Sequence, residues 1–220
     1  MNYELPTNTF VVGGQFDPAM VPLAQALSVP LIAMHMRGTP QTMTSKANVT
    51  YAQVGAEVAG ELSRLSLTPA QALGIPRWMQ LVDPGVGFAK TAEDSARLVH
   101  PGTLRSLRLA LGRRYMMLGT SRKRFLAAIL KSLATAGADA ASASSAPSSS
   151  SPVDRDFATI GSCLAALQSN SLTGSEAPGE ETDAATTDLG PLILRVHNVR
   201  AVAEAAHIYT HLLSITPLSN

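Results

Sequence analysis

The sequence predicts an α/β fold built on a parallel sheet, and three observations carry that prediction. Short, nearly continuous apolar runs recur along the chain, each about as long as a buried strand. A helical pattern separates most runs from the next, as expected where crossover helices join parallel strands. Polar, charged and glycine residues gather just after run upon run, where parallel α/β folds place their ligands. With 220 residues, 45% hydrophobic and 15% charged, the chain is long enough for one domain with a sizeable core.

Five strands are expected, over 9–12, 30–35, 79–83, 115–119 and 192–197. Helical patterns over 18–27, 48–65 and 91–111 stand between the first four strands. Two more, over 122–133 and 154–167, lie between the fourth and fifth, and one over 198–214 closes the chain. A closed (β/α) barrel needs eight strands, so the count falls three βα units short. Two stretches break the alternation. In 134–152, 14 of 19 residues are Ala or Ser; 168–190 is rich in Gly, Pro, Thr and acidic residues. Both read as disordered insertions, too poor in large apolar side chains to offset their ordering entropy.

Charge and cysteine content narrow the classes further. The two insertions hold six acidic residues and no Lys or Arg; the other 178 residues carry 17 basic and 10 acidic side chains. That +7 balance favours an anionic ligand. A single cysteine, Cys163, excludes a disulfide framework and a cysteine-rich zinc site, and reads as a small buried hydrophobe. No apolar stretch reaches 18 residues and the first residues lack a signal-peptide pattern, so a cytoplasmic location is expected, with neither membrane nor nucleic acid as partner.

The chemistry-bearing residues stand at the strand ends. Leu31-Ile32-Ala33-Met34 runs into His35-Met36-Arg37-Gly38, and Leu81-Val82 into Asp83-Pro84-Gly85-Val86-Gly87-Phe88. Met116-Met117-Leu118-Gly119 runs into Thr120-Ser121-Arg122-Lys123, and Leu192-Ile193-Leu194 into Arg195-Val196-His197-Asn198. Four loops thus bring together a carboxylate, several cations, two imidazoles, a hydroxyl and exposed glycines. Such a set suits a small ligand with polar edges and a negative group. Cations at the start of a helix oppose its macrodipole, so Arg122 and Lys123 point to a ligand, with Arg124 left on the exposed first turn. Arg195 and His197 alternate with Val196 and share one side of their strand. Asp83 could also serve only as a turn residue before Pro84, Met34 as ordinary core, and His35 and Arg37 as loop supports.

These strings, in this order and at these spacings, resemble dihydropteroate synthase, the folate-pathway family with a pterin-binding (β/α)8 fold. Asp154-Arg155-Asp156-Phe157-Ala158-Thr159-Ile160-Gly161-Ser162 adds a further match, and Gly13-Gly14-Gln15-Phe16-Asp17-Pro18 is similar to the turn after the family's fourth strand. The resemblance implies a partial TIM barrel covering roughly strands 4 to 8, with residues 1–220 as a truncated pterin-binding domain. It implies condensation of a hydroxymethyl-dihydropterin diphosphate with p-aminobenzoate, and with it sulfonamide sensitivity. Asp83 would read the pterin edge, with Met34, Gly87 and Phe88 lining the pocket. Lys123 would donate to the ring carbonyl and, with Asp83, take the catalytic positions. Arg122 would cover the outer face, Ser121 would hold the p-aminobenzoate carboxylate, and Arg195 and His197 the diphosphate. Mg2+ is implied, its family ligand lying in the segment absent here; no metal ligand is expected among these residues. A homodimer is a possible assembly. Asn198 replaces the family's usual Asp, and the family's Asn-Asp pair has no counterpart near Thr9-Phe10. The fragment by itself is expected to be inactive. The alternatives are a non-catalytic truncated product and a pterin-dependent methyltransferase barrel.

Overall fold

A computed structural model of the chain describes residues 10–11, 17–136, 155–170 and 189–215. Strands β1 (Phe10–Val11), β2 (Leu31–Met34), β3 (Gln80–Asp83), β4 (Met116–Leu118) and β5 (Leu192–Leu194) form one parallel sheet in sequence order. Leu31 to Met34 pair with Gln80 to Asp83, Val82 with Met116, and Met116 to Leu118 with Leu192 to Leu194. The ladder continues past β5, where the Arg195 N–H donates to the Leu118 carbonyl at 2.9 Å.

The helices are α1 (Met20–Ala26), α2 (Lys46–Val49), α3 (Val54–Leu62), α4 (Thr68–Ala72), α5 (Ala92–Val99), α6 (Pro101–Ala110), α7 (Arg124–Ala136), α8 (Asp156–Gln168) and α9 (Val199–Ser214). Two predicted helices are divided, one of them at a proline. The expected 91–111 helix breaks at His100 (ψ 130°), because the ring of Pro101 disfavours helical backbone in the residue before it. The expected 48–65 helix starts late, at Val54, and overruns to Ala72 through a π turn over Ser63–Leu67. Pro69 offers no N–H to the carbonyl four residues back and its ring crowds that carbonyl, which widens the turn ahead of it.

Alternation along the strands separates two faces. Ala33, Val82, Met116 and Leu118 turn outward and form one core with Val58 and Leu62 of α3, Leu98 of α5, Leu104 and Leu107 of α6, and Phe125 of α7. Ile32, Leu81 and Met117 pack with Ile193 on the other face. One pleat further on, that inner face carries Met34, Asp83, Gly119 and Arg195. The buried layer therefore ends in a polar one.

The segments expected as insertions, 134–152 and 168–190, lie mostly outside the described residues. At their described ends the boundaries move: α7 runs to Ala136 and α8 to Gln168, while Ser169 and Leu189 are buried. Arg108 of α6, fully buried, donates to Ser169 Oγ at 3.1 Å, to Asn170 Oδ1 at 2.6 Å and to the Gly190 carbonyl. One guanidinium holds both flanks of residues 171–188.

Candidate functional site

The turn after β3 is shaped by residues that must lack or tolerate a side chain. Gly85 (φ +65°), Gly87 (φ +78°) and Ala89 (φ +49°) all take the left-handed conformation. A Cβ on Gly85 would stand 1.8 Å from the His35 carbonyl oxygen, so the turn after β3 lies directly against the end of β2. The turn returns its backbone to Asp83, whose Oδ1 accepts from the Gly85 N–H at 2.7 Å. Asp83 is 2% exposed, and burial pushes its carboxyl up; the Gly85 N–H and the charges of Lys123, Arg195 and Lys90 oppose that shift.

Three cations thus face one carboxylate. Lys123 crosses the turn, its Nζ donating to the Val86 carbonyl and standing 4.4 Å from the Phe88 ring centroid. Gly87 leaves it room, because a Cβ there would come within 3.2 Å of Lys123 Cδ. Burial draws the Lys123 ammonium down to about 8, with Asp83 working against the shift. The Arg195 guanidinium lies over Gly119, where a Cβ would be 2.7 Å from Nη2. It makes no hydrogen bond to a described residue, and Arg195 and His197 are both exposed.

Ser121 ties the ends of β4 and β5. Its Oγ accepts from the His197 backbone N–H at 3.2 Å and lies 2.9 Å from His197 Nδ1. With the Ser121 hydroxyl donating to Nδ1, the imidazole keeps Nε2–H as a donor for a ligand. Arg122 is committed elsewhere: its Nε and Nη2 donate to Asp156 at the start of α8 at 2.8 and 3.1 Å. Asp156 also accepts from Asn198 Nδ2 at 3.4 Å, while Asn198 Oδ1 caps α9 through the Ala201 N–H. Met34 is half-buried and pairs in register with Asp83; Phe88 is half-buried beside Lys123.

Sequence reading singled out none of Lys90, Glu61 and Tyr51, yet all three sit beside the turn. His35 and Arg37 converge on Glu61: His35 Nε2 lies 2.9 Å from Oε2, and Arg37 Nε donates to Oε1 at 3.0 Å. Arg37 also donates to Glu57 Oε2 at 2.8 Å and lies 3.9 Å from the Tyr51 ring centroid. Lys90, buried, reaches His35 Nδ1 from the other side at 2.9 Å. A lysine closing a glycine-rich turn was the one visible signal. His35, which it meets, stands 55 residues away in the chain.

The resemblance places the Mg2+ ligand outside the described residues. None of them group three or more His, Cys, Asp or Glu side chains that could hold a metal ion, and Asp83 faces cations instead. Among the described residues no helix is long and apolar enough to cross a membrane.

A buried carboxylate flanked by cations stands at the C-terminal ends of the parallel strands, an arrangement that could accept a donor-bearing ligand with an anionic group. A family model described as pterin binding enzyme matches residues 10–171, and the chain belongs to that family. More particularly, the relatives it matches are named as folate synthesis proteins and dihydropteroate synthases. The mitochondrial folate synthesis bifunctional protein of Arabidopsis thaliana is 32% identical over 203 residues, covering 90% of this chain and 30% of that protein. The dihydropteroate synthase of Mycobacterium leprae is 34% identical over 199 residues, covering 90% of this chain and 56% of that protein. Among solved structures, the synthase of Stenotrophomonas maltophilia superposes with a TM-score of 0.70 at 26% identity, over 96% of this chain and 64% of that one. The Thermus thermophilus synthase in complex with 6HMPPP gives 0.68 at 26%, over 95% and 66%. The sheet is thus part of a synthase-type barrel, and the chain spans about a third of the plant folate synthesis proteins it matches.

Proposed function

We propose that this chain supplies the pterin- and diphosphate-binding wall of a dihydropteroate synthase. The observation that carries the reading is Asp83, a buried carboxylate at the end of β3 with Lys123 and Arg195 beside it. In this reading one carboxylate oxygen, already satisfied by Gly85, orients the group while the remaining lone pairs take the amino and ring N–H donors of the pterin. Lys123 donates to the ring carbonyl, and Phe88 and Met34 bound the ring. Arg195, whose guanidinium is not committed to a described partner, and His197 through Nε2–H take the diphosphate; Ser121 fixes His197 and faces the p-aminobenzoate carboxylate.

The reaction breaks the C–O bond between the pterin methylene and diphosphate and forms a C–N bond from the aromatic amine, which sheds a proton. It needs placement and charge neutralisation rather than a covalent enzyme intermediate. Arg122, held by Asp156, acts here by fixing the start of α8 rather than by touching ligand. The diphosphate leaving group gives Arg195 and His197 a purpose that methyl transfer does not. Two companion proposals complete the reading. Residues 1–220 form one pterin-binding unit that pairs through the exposed Ile208, Leu212 and Leu213 of α9, which sedimentation would detect as a dimer. The unit works in the cytoplasm, whereas the Arabidopsis relative is named mitochondrial; imaging the tagged protein separates the two.

Calorimetric titration with 6-hydroxymethyl-dihydropterin tests the central reading. Asp83→Asn sets an amide donor against a pterin donor and should cost about 1–3 kcal/mol of binding, or roughly tenfold to a hundredfold in affinity, with the circular dichroism spectrum retained. Unchanged affinity in a folded Asp83→Asn protein would remove the carboxylate from the pterin site.

A further inference from the structure

The group with the most complete set of partners near the site is one that the reading above does not use. Lys90 Nζ lies 2.9 Å from His35 Nδ1, 3.1 Å from the Gly85 carbonyl and 3.0 Å from the Phe88 carbonyl. An ammonium has three N–H donors, and here it meets three acceptors. The arrangement also fixes the imidazole. If Nδ1 accepts from Lys90, the ring proton sits on Nε2 and donates to Glu61 Oε2, and Glu61 is anchored in turn by Arg37. Each link satisfies the next, from the α3 carboxylate to the turn that carries Asp83.

The turn needs such a support. Gly85, Gly87 and Ala89 all hold positive φ within five residues, and for Ala89 that conformation costs about 1–2 kcal/mol. Lys90 takes the carbonyls at two points of the turn, and Tyr51 Oη donates to a third, that of Ala89, at 2.9 Å.

We propose that Lys90 is a positioning residue: as an ammonium locked by His35 and Glu61, it holds the Gly85–Phe88 turn and so the Asp83 carboxylate and the Phe88 ring. Loss of its proton would break the pattern. A neutral amine has two donors and a lone pair, so one of the three acceptors, His35 Nδ1 or a turn carbonyl, would face that lone pair. Turning the imidazole tautomer over would only move the conflict to Glu61. The groups facing Lys90 are His35 from the end of β2, Asp83 from β3, Lys123 from the start of α7, Glu61 from α3, and Arg37 with Tyr51 from the β2–α3 connection. Burial lowers the ammonium to about 7, with Lys123 and Arg37 pushing the same way and Asp83 and Glu61 the other, so the turn is set to loosen as pH rises through neutrality.

As a statement about pterin affinity, the proposal rests on the reading above; as a statement about the turn, it does not. The test therefore has two arms on the 220-residue chain. In the first, without ligand, the backbone amide resonances of Gly85, Val86 and Phe88 are followed by NMR between pH 6 and 9. They should titrate together in the wild type. In Lys90→Arg, which keeps its charge, they should stay fixed. In His35→Gln, whose amide can accept from Lys90 and donate to Glu61, a shared titration should persist with a moved midpoint. Amides that do not titrate in the wild type, or that titrate unchanged in Lys90→Arg, would overturn the proposal. In the second arm, 6-hydroxymethylpterin is titrated by fluorescence. Lys90→Met should bind about tenfold more weakly than wild type at pH 6, and the two should converge at pH 8.5. Equal affinities at pH 6 would overturn the link between turn and pocket. A wild type that binds no pterin at any pH would instead sink the functional reading, leaving the first arm to decide the role of Lys90.

Discussion

The two sides of the site are built in opposite ways. On the β2–β3 side, Arg37, His35 and Lys90 are engaged by Glu57, Glu61 and backbone carbonyls, and His35 is 3% exposed. On the β4–β5 side, Arg195 and His197 are exposed, and the Arg195 guanidinium makes no hydrogen bond to a described residue. Positive charge is present on both sides, yet only one side has it to offer. In the proposed reading, the engaged side chains shape the wall against the ring, and the uncommitted Arg195 guanidinium is left for an anion. Net charge alone, +7 outside the two low-complexity stretches, would have counted them as equals.

The largest effect should come from breaking the engaged side. In Gly85→Ala the new Cβ cannot coexist with the His35 carbonyl at 1.8 Å, and the φ of +65° adds strain. A loss of at least about 2 kcal/mol of stability is expected, measured by urea unfolding, together with loss of pterin binding. The corresponding change on the open side, Gly119→Ala, meets only the guanidinium of exposed Arg195, which can move aside.

Acid should separate the sides next. Burial, with Lys90 beside it, draws His35 down to about 4 from 6.5, while the bonds from Arg37 and His35 hold Glu61 low against the opposing effect of its burial. Between those two values the unfolded chain binds the proton that the folded His35 refuses. Stability is therefore present above pH 6.5 and is lost as pH falls toward 4, with Glu61 adding loss in the same direction. The His35 contribution is at most about 3 kcal/mol at roughly 1.4 kcal/mol per unit. Thermal unfolding across pH 4 to 7 should show this slope in the wild type and a shallower one in His35→Gln.

The smallest effect on the fold, and the most selective one on ligand, belongs to the open side. Arg195→Ala should leave stability within about 0.5 kcal/mol of wild type, as expected for an exposed side chain. It should weaken the diphosphorylated pterin at least about tenfold while sparing the free pterin. Equal losses for both ligands would mean that Arg195 stacks on the ring, and the contrast between the two sides would fail.

The same contrast explains what sequence could and could not reveal. Strand positions were legible because buried parallel strands are apolar throughout, and the residues at their ends follow from the chain direction alone. Asp83, Lys123 and Arg195 converge as that logic requires. Helix boundaries failed at Pro101, which overrode a good periodic pattern, and over 50–53, where the expected helix is interrupted without a proline. Arg122 pairs with Asp156, 34 residues downstream, a contact that local sequence does not reveal. Lys90 was passed over for the same reason. Its donors are counted only once β2, β3 and α3 have been brought together.

Arg108 has a consequence outside the chemistry. Because one buried guanidinium grips Ser169 and Asn170 on one side and Gly190 on the other, the path between them begins and ends at a fixed point of the scaffold. Lengthening that path costs only about 0.6 kcal/mol per doubling in closure entropy. The anchor works as a grommet: chain can be fed through or trimmed at this place in evolution, or a reporter peptide grafted by design, while Arg195 and His197 keep their positions a few residues beyond.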